Sequence, residues 1–287
     1  MRRRFVVSTA VAALAISACA GGNVVPTTTP AVTSTSLPAP TSTLPPVVDC
    51  PGAGDFGEGS GIARVDGEGS DASHLGRVAW EGPEQCESFV FEFETSEGAP
   101  ATAVPDIEID HLPSLQVIRI TMDIDAAVIT DQLVETELVD RLYVVRSLEG
   151  GMFVDLHLNA PAAGRARVQS SPGVLTVDLR PGFLDFTGAS SVDDQTVVVS
   201  PSQGSEVESI TTFTGYSRAF EANVLVVVTQ GDVVVTEAST TAADYLETWG
   251  EFSVEVPLPA GDVSVLVGEA SPEDGSLDGV TLDLTVS

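Results

Sequence analysis

The stretch Glu87 to Thr95, ESFVFEFET, decides the fold class because its hydrophobicity alternates at every second residue. Phe89, Phe91 and Phe93 fall on one face of an extended chain, and glutamates fall on the other face. Period-two alternation is typical of a β-strand with one buried face. The stretch therefore predicts a half-buried strand that contributes three phenylalanines to a core.

The same alternation recurs along the chain after residue 74. GVLTVDLRP, residues 173 to 181, places Leu175, Val177 and Leu179 inward and Asp178 outward. Only Ile129 to Leu142 is predicted to hold a short helix. Further strands are predicted near residues 104–109, 115–124, 140–147, 151–159 and 165–170, and turn-forming Gly, Pro and Ser residues separate them.

A second series of strands begins near Gln195, after a loop of small and acidic residues. Its predicted strands lie near residues 195–200, 206–214, 219–229, 232–238, 250–256, 262–269 and 280–286. In GVTLDLTVS, Val280, Leu282, Leu284 and Val286 share one face. Seven short strands at this spacing are typical of an immunoglobulin-like sandwich. The predicted fold class is all-β, with two β-sandwich-like domains of which the C-terminal one is immunoglobulin-like.

The beginning of the chain predicts export to the cell envelope. Three arginines precede an apolar run from Phe5 to Ile16 that is too short for a permanent membrane helix. The run ends in Ile16-Ser17-Ala18-Cys19, which resembles the lipobox of bacterial lipoproteins. The resemblance implies a signal peptide over residues 1–19 and lipidation of Cys19, which would anchor the protein to the cell membrane. An ordinary secretory peptide is the alternative, and the export route stays open.

Residues 20–49 are Thr, Pro, Ser, Ala and Val with almost no charge. Such a composition cannot bury a core, so we expect a disordered tether. Two β domains are then predicted, over residues 50–190 and 193–287. Once Cys19 is assigned to lipid, Cys50 and Cys86 are the only pair in an oxidising compartment and are predicted to form a disulfide. Two free buried thiols are the alternative.

The composition is strongly acidic, with 42 Asp and Glu against 12 basic residues and a formal net charge of −30. All twelve basic residues are arginines. Such a surface repels nucleic acid, anionic lipid headgroups and anionic wall polymers, so no nucleic-acid partner is expected. Adaptation to a saline habitat and binding of divalent cations both explain the charge. Since no Asp-rich segment has the ligand spacing of an EF-hand loop, no metal site is predicted.

The C-terminal block carries a pattern of residues that resembles a known family. The pattern comprises an opening turn at Pro201 and Gly204, then Val207, Gly215, Ala219-Phe220-Glu221-Ala222-Asn223-Val224, Gly231, Trp249, Phe252, Gly261, Ser271, Asp274 and Gly275. Over roughly residues 195–287 it resembles the immunoglobulin-like domain of bacterial spore germination. The resemblance implies a non-catalytic domain of cell-envelope proteins.

The N-terminal block resembles an AMIN-like domain, a β-rich module related to the one that holds cell-wall amidases at the envelope. The resemblance covers about residues 74–182 and rests on Phe89 and Phe91, on VDRLYVVRSLEGGMFVDLHL from Val139 to Leu158, and on GVLTVDLRPG. Where a zinc amidase domain would follow, an immunoglobulin-like block follows instead. The comparison therefore implies attachment to the envelope without the amidase chemistry.

The residue inventory argues against catalysis. The three histidines do not form a zinc-hydrolase pattern: His157 is predicted to be a solvated strand residue, and His74 and His111 to lie in or beside loops. No Gly-x-Ser-x-Gly occurs, and a chain without lysine cannot use Ser-x-x-Lys chemistry. No phosphate-binding glycine loop opens a helix. We therefore predict no enzyme activity, no catalytic residue and no cofactor.

The predicted function is that of a non-catalytic lipoprotein that binds or scaffolds a cell-wall component or an envelope protein. The alternative is a cryptic cell-wall hydrolase or a non-catalytic subunit of one. The signature residues Gly215, Phe220, Glu221, Asn223, Trp249, Asp274 and Gly275 are predicted to be structural. Alternation places Phe220, Ala222 and Val224 on one buried face, and Glu221 and Asn223 are expected to satisfy backbone donors near Gly215.

Overall fold

The structure, a computed structural model, describes residues 50, 52, 54–57, 59–82, 86–183 and 185–287. The predicted signal peptide, Cys19 and the predicted tether lie outside the described residues. The described part consists of β-strands, turns and a single 3-10 turn, without an α-helix, so the all-β prediction is confirmed. None of its helical segments is long and apolar enough to cross a membrane.

Eleven strands form the N-terminal block: β1 (Ala63–Val65), β2 (His74–Glu81), β3 (Glu87–Glu94), β4 (Ile107–Leu112), β5 (Val117–Met122), β6 (Ala126–Ala127), β7 (Asp131–Leu133), β8 (Val139–Arg146), β9 (Met152–Leu158), β10 (Ala162–Gln169) and β11 (Val174–Pro181). Nine strands and the 3-10 turn form the C-terminal block: β12 (Ser191–Val192), β13 (Thr196–Ser200), β14 (Glu206–Val207), β15 (Ile210–Ser217), the 3-10 turn (Phe220–Ala222), β16 (Asn223–Gln230), β17 (Val233–Thr241), β18 (Trp249–Pro257), β19 (Gly261–Ala270) and β20 (Leu277–Val286).

The N-terminal block is a sandwich of two sheet layers. One layer has the strand order β10-β11-β3-β2-β6, and the other is β1-β4-β5-β9-β8 with β7 paired to β8. The three phenylalanines of β3 are buried, as are the leucines and the valine that alternation placed on the inner face of β11. The predicted inner faces of both strands are therefore confirmed.

The segment from Ile129 to Leu142 is not a helix, and that prediction is wrong. It contains β7 and the first part of β8, and β8 pairs with β9 along its whole length. Val139, Leu142, Val144 and Val145 are fully buried. A strand apolar on both faces is typical of a position between two covered faces, where β-branched and aromatic side chains pack better than in a helix.

The C-terminal block is a second sandwich. One layer is β18-β15-β13-β12, and the other is β14-β20-β19-β16-β17. The inner residues of β20 are buried, as their alternation predicted. β16 pairs with β17 on one side and β19 on the other, so its apolar run forms a central strand.

The two blocks share one sheet. β18 pairs with β8 in parallel, with Trp249 opposite Val145 and Gly250 opposite Arg146. This pairing joins the six-stranded layer of the N-terminal sandwich and the four-stranded layer of the C-terminal sandwich into a ten-stranded sheet. Because β8 ends where β18 begins, β18 continues away from the N-terminal block. Each block nevertheless has its own apolar core.

The N-terminal block is closed by a disulfide and by a buried ionic cluster. Cys50 and Cys86 are bonded, which confirms the predicted pair. Asp178 lies on the outer face of β11, where alternation placed it, but it is buried there. It accepts hydrogen bonds from Arg165 Nε at 2.8 Å and Arg167 Nε at 2.7 Å. Arg165 also donates to carbonyl oxygens of the segment that follows Cys50, so the cluster holds that segment against the sheet.

Candidate functional site

The predicted signature residues divide into a buried group and an exposed group. Gly215 and Trp249 are buried in β15 and at the start of β18. Phe220, Glu221 and Asn223 lie at the surface beside the 3-10 turn. Asp274 and Gly275 lie in the exposed turn between β19 and β20. The tertiary structure thus separates residues that the sequence presents as one pattern.

Glycine is needed at position 215 because the backbone of β13 and an aromatic ring both lie close to its Cα atom. A Cβ atom at this position would overlap the carbonyl oxygen of Val197 and lie 2.9 Å from the Phe252 ring. Any side chain would therefore push β13 away from β15 or displace a core phenylalanine.

The turn at Phe220–Ala222 is the exposed part of the signature. Phe220 has 55% of its surface exposed, although alternation predicted it to be buried with Ala222 and Val224. The prediction is wrong for Phe220 because Glu221 and Ala222 have positive φ angles of 57° and 59°. Left-handed residues break the alternation of an extended strand, and non-glycine residues adopt this conformation at a cost of about 1 kcal/mol or more each.

Glu221 and Asn223 are exposed, and within the described chain neither side chain makes a hydrogen bond. The expectation that they satisfy backbone donors near Gly215 is therefore wrong. The turn is held instead by Glu269, whose Oε2 accepts the Phe220 N–H at 2.5 Å. The carboxylate and the amide beside Phe220 are therefore exposed to solvent.

The turn between β19 and β20 is held by short local hydrogen bonds. Asp274 Oδ1 accepts the Ser276 hydroxyl at 2.7 Å and the Ser276 N–H at 3.0 Å. These bonds lower the pKa of Asp274 below its usual value. Gly275 has a φ of 72° and donates its N–H to Ser271 O at 2.9 Å. Asp274 and Gly275 thus define the shape of this turn.

The loop before Trp249 is capped by a residue that the sequence analysis missed. Asp244 Oδ1 accepts the N–H groups of Tyr245 and Leu246, and Oδ2 accepts the Thr248 hydroxyl at 3.0 Å. Asp244 also forms an ion pair with Arg146 at 3.3 Å. An aspartate that starts a loop of this kind is an Asx-turn signal, which could have identified it. Asp244 therefore links the loop to the N-terminal block.

The outer face of the shared sheet carries an aromatic cluster that crosses from one block to the other. We call it the junction cluster, and it comprises Tyr143, Val145, Phe153, Val197, Tyr216 and Trp249. The ring centroid of Trp249 lies 4.8 Å from that of Tyr143 and 6.0 Å from that of Tyr216. These edge-to-face contacts add stability beyond that of apolar burial.

His157 belongs to the junction and is not a solvated strand residue as predicted. Its Nε2 lies 2.5 Å from the hydroxyl of Tyr216, and its ring is 4.9 Å from that of Tyr143. Burial lowers the pKa of His157 to about 4 and raises that of Tyr216 well above its usual value. His157 is therefore a neutral hydrogen-bond partner of the Tyr216 hydroxyl near neutral pH.

The polar side of the junction is formed by a buried ion pair. Arg119 Nε and Nη2 donate to the two carboxylate oxygens of Asp155 at 2.8 and 2.7 Å. The guanidinium of Arg119 also lies 3.9 Å from the centre of the Phe153 ring. The two hydrogen bonds to Asp155 and the contact with the Phe153 ring together fix the orientation of Arg119. His74 is the first residue of β2 and His111 is next to the last residue of β4, so both lie beside loops as predicted, and His111 is buried.

We expect stability to fall by about 3 kcal/mol as the pH decreases from about 6.5 to about 4, because of His157. The unfolded chain binds a proton near the usual histidine pKa, whereas the folded state resists protonation until about pH 4. The stabilisation is therefore complete above the unfolded pKa and is lost on acidification to the folded one. Urea denaturation at several pH values measures the change.

The matched variant for this test is His157→Gln, whose amide can donate or accept a hydrogen bond without titrating. Its unfolding free energy should depend less steeply on pH than that of the unsubstituted chain in the same interval. Equal pH dependence of the two proteins would contradict the assignment to His157.

Two surface cavities are lined by charged residues. The larger, of about 630 Å³, is bordered by Asp66, Asp106, Glu108, Asp123 and Arg64, together with other residues of the N-terminal block. A smaller one of about 270 Å³ lies beside His157. In the part of the chain that the structure describes, no three His, Cys, Asp or Glu side chains converge enough to hold a metal ion. The acidic residues that line these cavities are therefore too far apart to chelate a metal ion together.

Comparison with known proteins identifies the C-terminal block. A family model described as the immunoglobulin-like domain of bacterial spore germination matches residues 195–276. No curated protein and no solved structure matches the chain. The resemblance inferred from the signature residues is confirmed for this block, and the AMIN-like resemblance of the N-terminal block stays a prediction.

Proposed function

We propose, from the premise that residues 195–276 are an immunoglobulin-like domain of bacterial spore germination, that the chain is a non-catalytic envelope lipoprotein. It binds or scaffolds a cell-wall component or an envelope protein, and lipidated Cys19 anchors it to the membrane. The surface formed by Phe220, Glu221 and Asn223 makes the contact. We call this surface the signature surface.

The exposure of Phe220 is the observation that carries this proposal. A large aromatic ring with 55% of its surface exposed contributes less to the core than to a contact. The carboxylate of Glu221 and the amide of Asn223 follow it in the sequence, and neither makes a hydrogen bond inside the described chain. An exposed aromatic ring with unpaired polar groups near it in the sequence matches the usual composition of protein interfaces, in which aromatic residues are enriched and the rim is polar.

The test is a pull-down of the full-length protein with purified peptidoglycan and, separately, with membrane extract. We expect retention in one of the two arms and a loss of at least about tenfold for Phe220→Ser, since exposed aromatic anchors dominate interfaces. Glu221→Gln and Asn223→Ala should weaken retention while changing unfolding free energy by less than about 0.5 kcal/mol.

Val168→Ser is the control, because Val168 is an exposed apolar residue of the N-terminal block. It should be retained like the unsubstituted protein. If Phe220→Ser were retained as well as the unsubstituted protein, the signature surface would not be the contact surface. A lack of retention in both arms would contradict the proposed binding role itself.

A further inference from the structure

The end of the C-terminal block that lies farthest from β8 carries an exposed apolar patch. Ile210, Val233, Val234 and Val235 have 65, 63, 50 and 42% of their surface exposed. We call these four residues the distal tip. Burying their side chains against a partner would be favourable, because each exposes β-branched apolar surface to water.

Contacts between neighbouring segments hold the distal tip together. Ile210 is opposite Pro257 in the pairing of β15 with β18. The Thr236 hydroxyl donates to Pro257 O at 3.2 Å, which brings β17 to the same point. Gln230 Nε2 donates to Ala260 O at 3.0 Å. Residues from β15 and from the β16–β17 hairpin therefore form one surface.

The distal tip is remote from the signature surface and from the junction cluster. β18 begins at Trp249 beside β8 and ends at Pro257 beside the tip. At about 3.3 Å per residue, the strand covers about 26 Å between these points. A partner bound to the tip would leave the signature surface open. One chain could then contact two partners.

The charge around the distal tip has one sign. Residues 195–287 contain fifteen Asp and Glu and a single basic residue, Arg218. Arg218 follows β15 at the end of the block next to the junction. Four carboxylates lie in the segments of the tip and are exposed, and none forms an ion pair within the described chain: Glu208, Asp232, Glu237 and Asp262.

We infer that the distal tip docks a basic protein segment that presents aliphatic side chains between lysines or arginines. The apolar residues supply contact area, and the surrounding carboxylates select positive charge and repel negative charge. A second copy of the chain would bring the same carboxylates together, so self-association is disfavoured. Anionic wall polymers and anionic lipids are disfavoured for the same reason. The inference rests on the proposed binding role and adds a second contact surface to it.

Synthetic peptides provide the first test. A fluorescent peptide of alternating valine and lysine should bind the full-length chain. A serine–lysine peptide should bind at least about tenfold more weakly, and a valine–glutamate peptide should not bind measurably. The double substitution Val233→Ser and Val235→Ser should weaken valine–lysine binding by about tenfold, with an unchanged denaturation midpoint. Val168→Ser should not weaken it. Equal binding of the valine–lysine and serine–lysine peptides, or of the double variant and the parent, would overturn the inference.

Crosslinking in cells tests the natural partner. A photoreactive amino acid at Val233 should form an adduct whose crosslinked peptide carries lysine or arginine, and the same group at Val168 should not form that adduct. An adduct with a second copy, a glycan or a lipid, or no adduct at Val233, would overturn the inference. The proposed function would still hold in that case if the pull-down retained the parent protein and lost Phe220→Ser. If neither peptidoglycan nor membrane extract retained the parent protein, the proposed function itself would be contradicted.

Discussion

Trp249→Ala is expected to lower the free energy of unfolding by about 3 to 5 kcal/mol, as for other large-to-small changes at fully buried aromatic positions. Trp249 is buried at the point where β18 meets β8. Its ring contacts Tyr143 and Tyr216, and its Nε1 donates to Asp131 Oδ1 at 3.3 Å. The substitution removes contacts to both blocks at once. Urea denaturation followed by far-ultraviolet circular dichroism measures the loss.

Leu246→Ala is the matched control for this prediction. Leu246 lies in the same loop but has 70% of its surface exposed, so its removal should change stability by less than about 0.5 kcal/mol. Because the junction cluster connects the blocks, the transition of Trp249→Ala should also broaden or split. A single sharp transition with less than about 1 kcal/mol of destabilisation would contradict a coupling role for Trp249.

Asp178→Asn is expected to cost about 3 to 5 kcal/mol, the range for breaking a buried ion pair by removal of one partner. The carboxylate accepts from Arg165, from Arg167 and, at 2.6 Å, from the Ser88 hydroxyl. Arg165 is itself buried. The amide keeps the shape of the carboxylate but leaves buried positive charge uncompensated. Denaturation in urea at neutral pH provides the measurement.

The pH dependence of Asp178 gives an independent check. Burial raises its pKa, but hydrogen bonds from Arg167, Ser88 and Arg165 outweigh burial and lower it below the usual value. The stabilisation is therefore present above the unfolded pKa and is lost as pH falls through the lower folded pKa. Asp178→Asn should lack this acid-dependent loss. Glu92→Gln is the control, because the ion pair of Glu92 with Arg77 is exposed and should contribute less than about 1 kcal/mol.

The buried faces of the strands could be predicted from the sequence because they depend on local alternation. Phe89, Phe91 and Phe93 follow the pleat of β3, and the cysteine pair follows from counting the cysteines left after Cys19 is assigned to lipid. The same rule failed at Asp178 and His157. Both occupy outward positions in their strands, yet neighbouring segments cover these positions. Alternation predicts to which face of the sheet a side chain points, but it does not predict whether another segment covers that face.

The signature surface could be located but not interpreted from the sequence. Phe220 and Glu221 follow a strand in a run that alternates like a strand itself. The positive φ of Glu221 has no sequence signal, because glutamate rarely adopts this conformation. For this reason Phe220 was predicted to be buried, although it is exposed. Glu221 and Asn223 were predicted to make hydrogen bonds that their side chains do not make.

The amino-acid sequence by itself determined the all-β class, the cysteine pairing and the immunoglobulin-like character of the C-terminal block, since these depend on periodicity, counts and short-range patterns. Only the tertiary structure decided that the two blocks share a sheet through β8 and β18, and that Tyr143, His157, Tyr216 and Trp249 meet across it. Such contacts join residues distant along the chain. Their stability comes from burial and geometry that no local stretch of sequence contains.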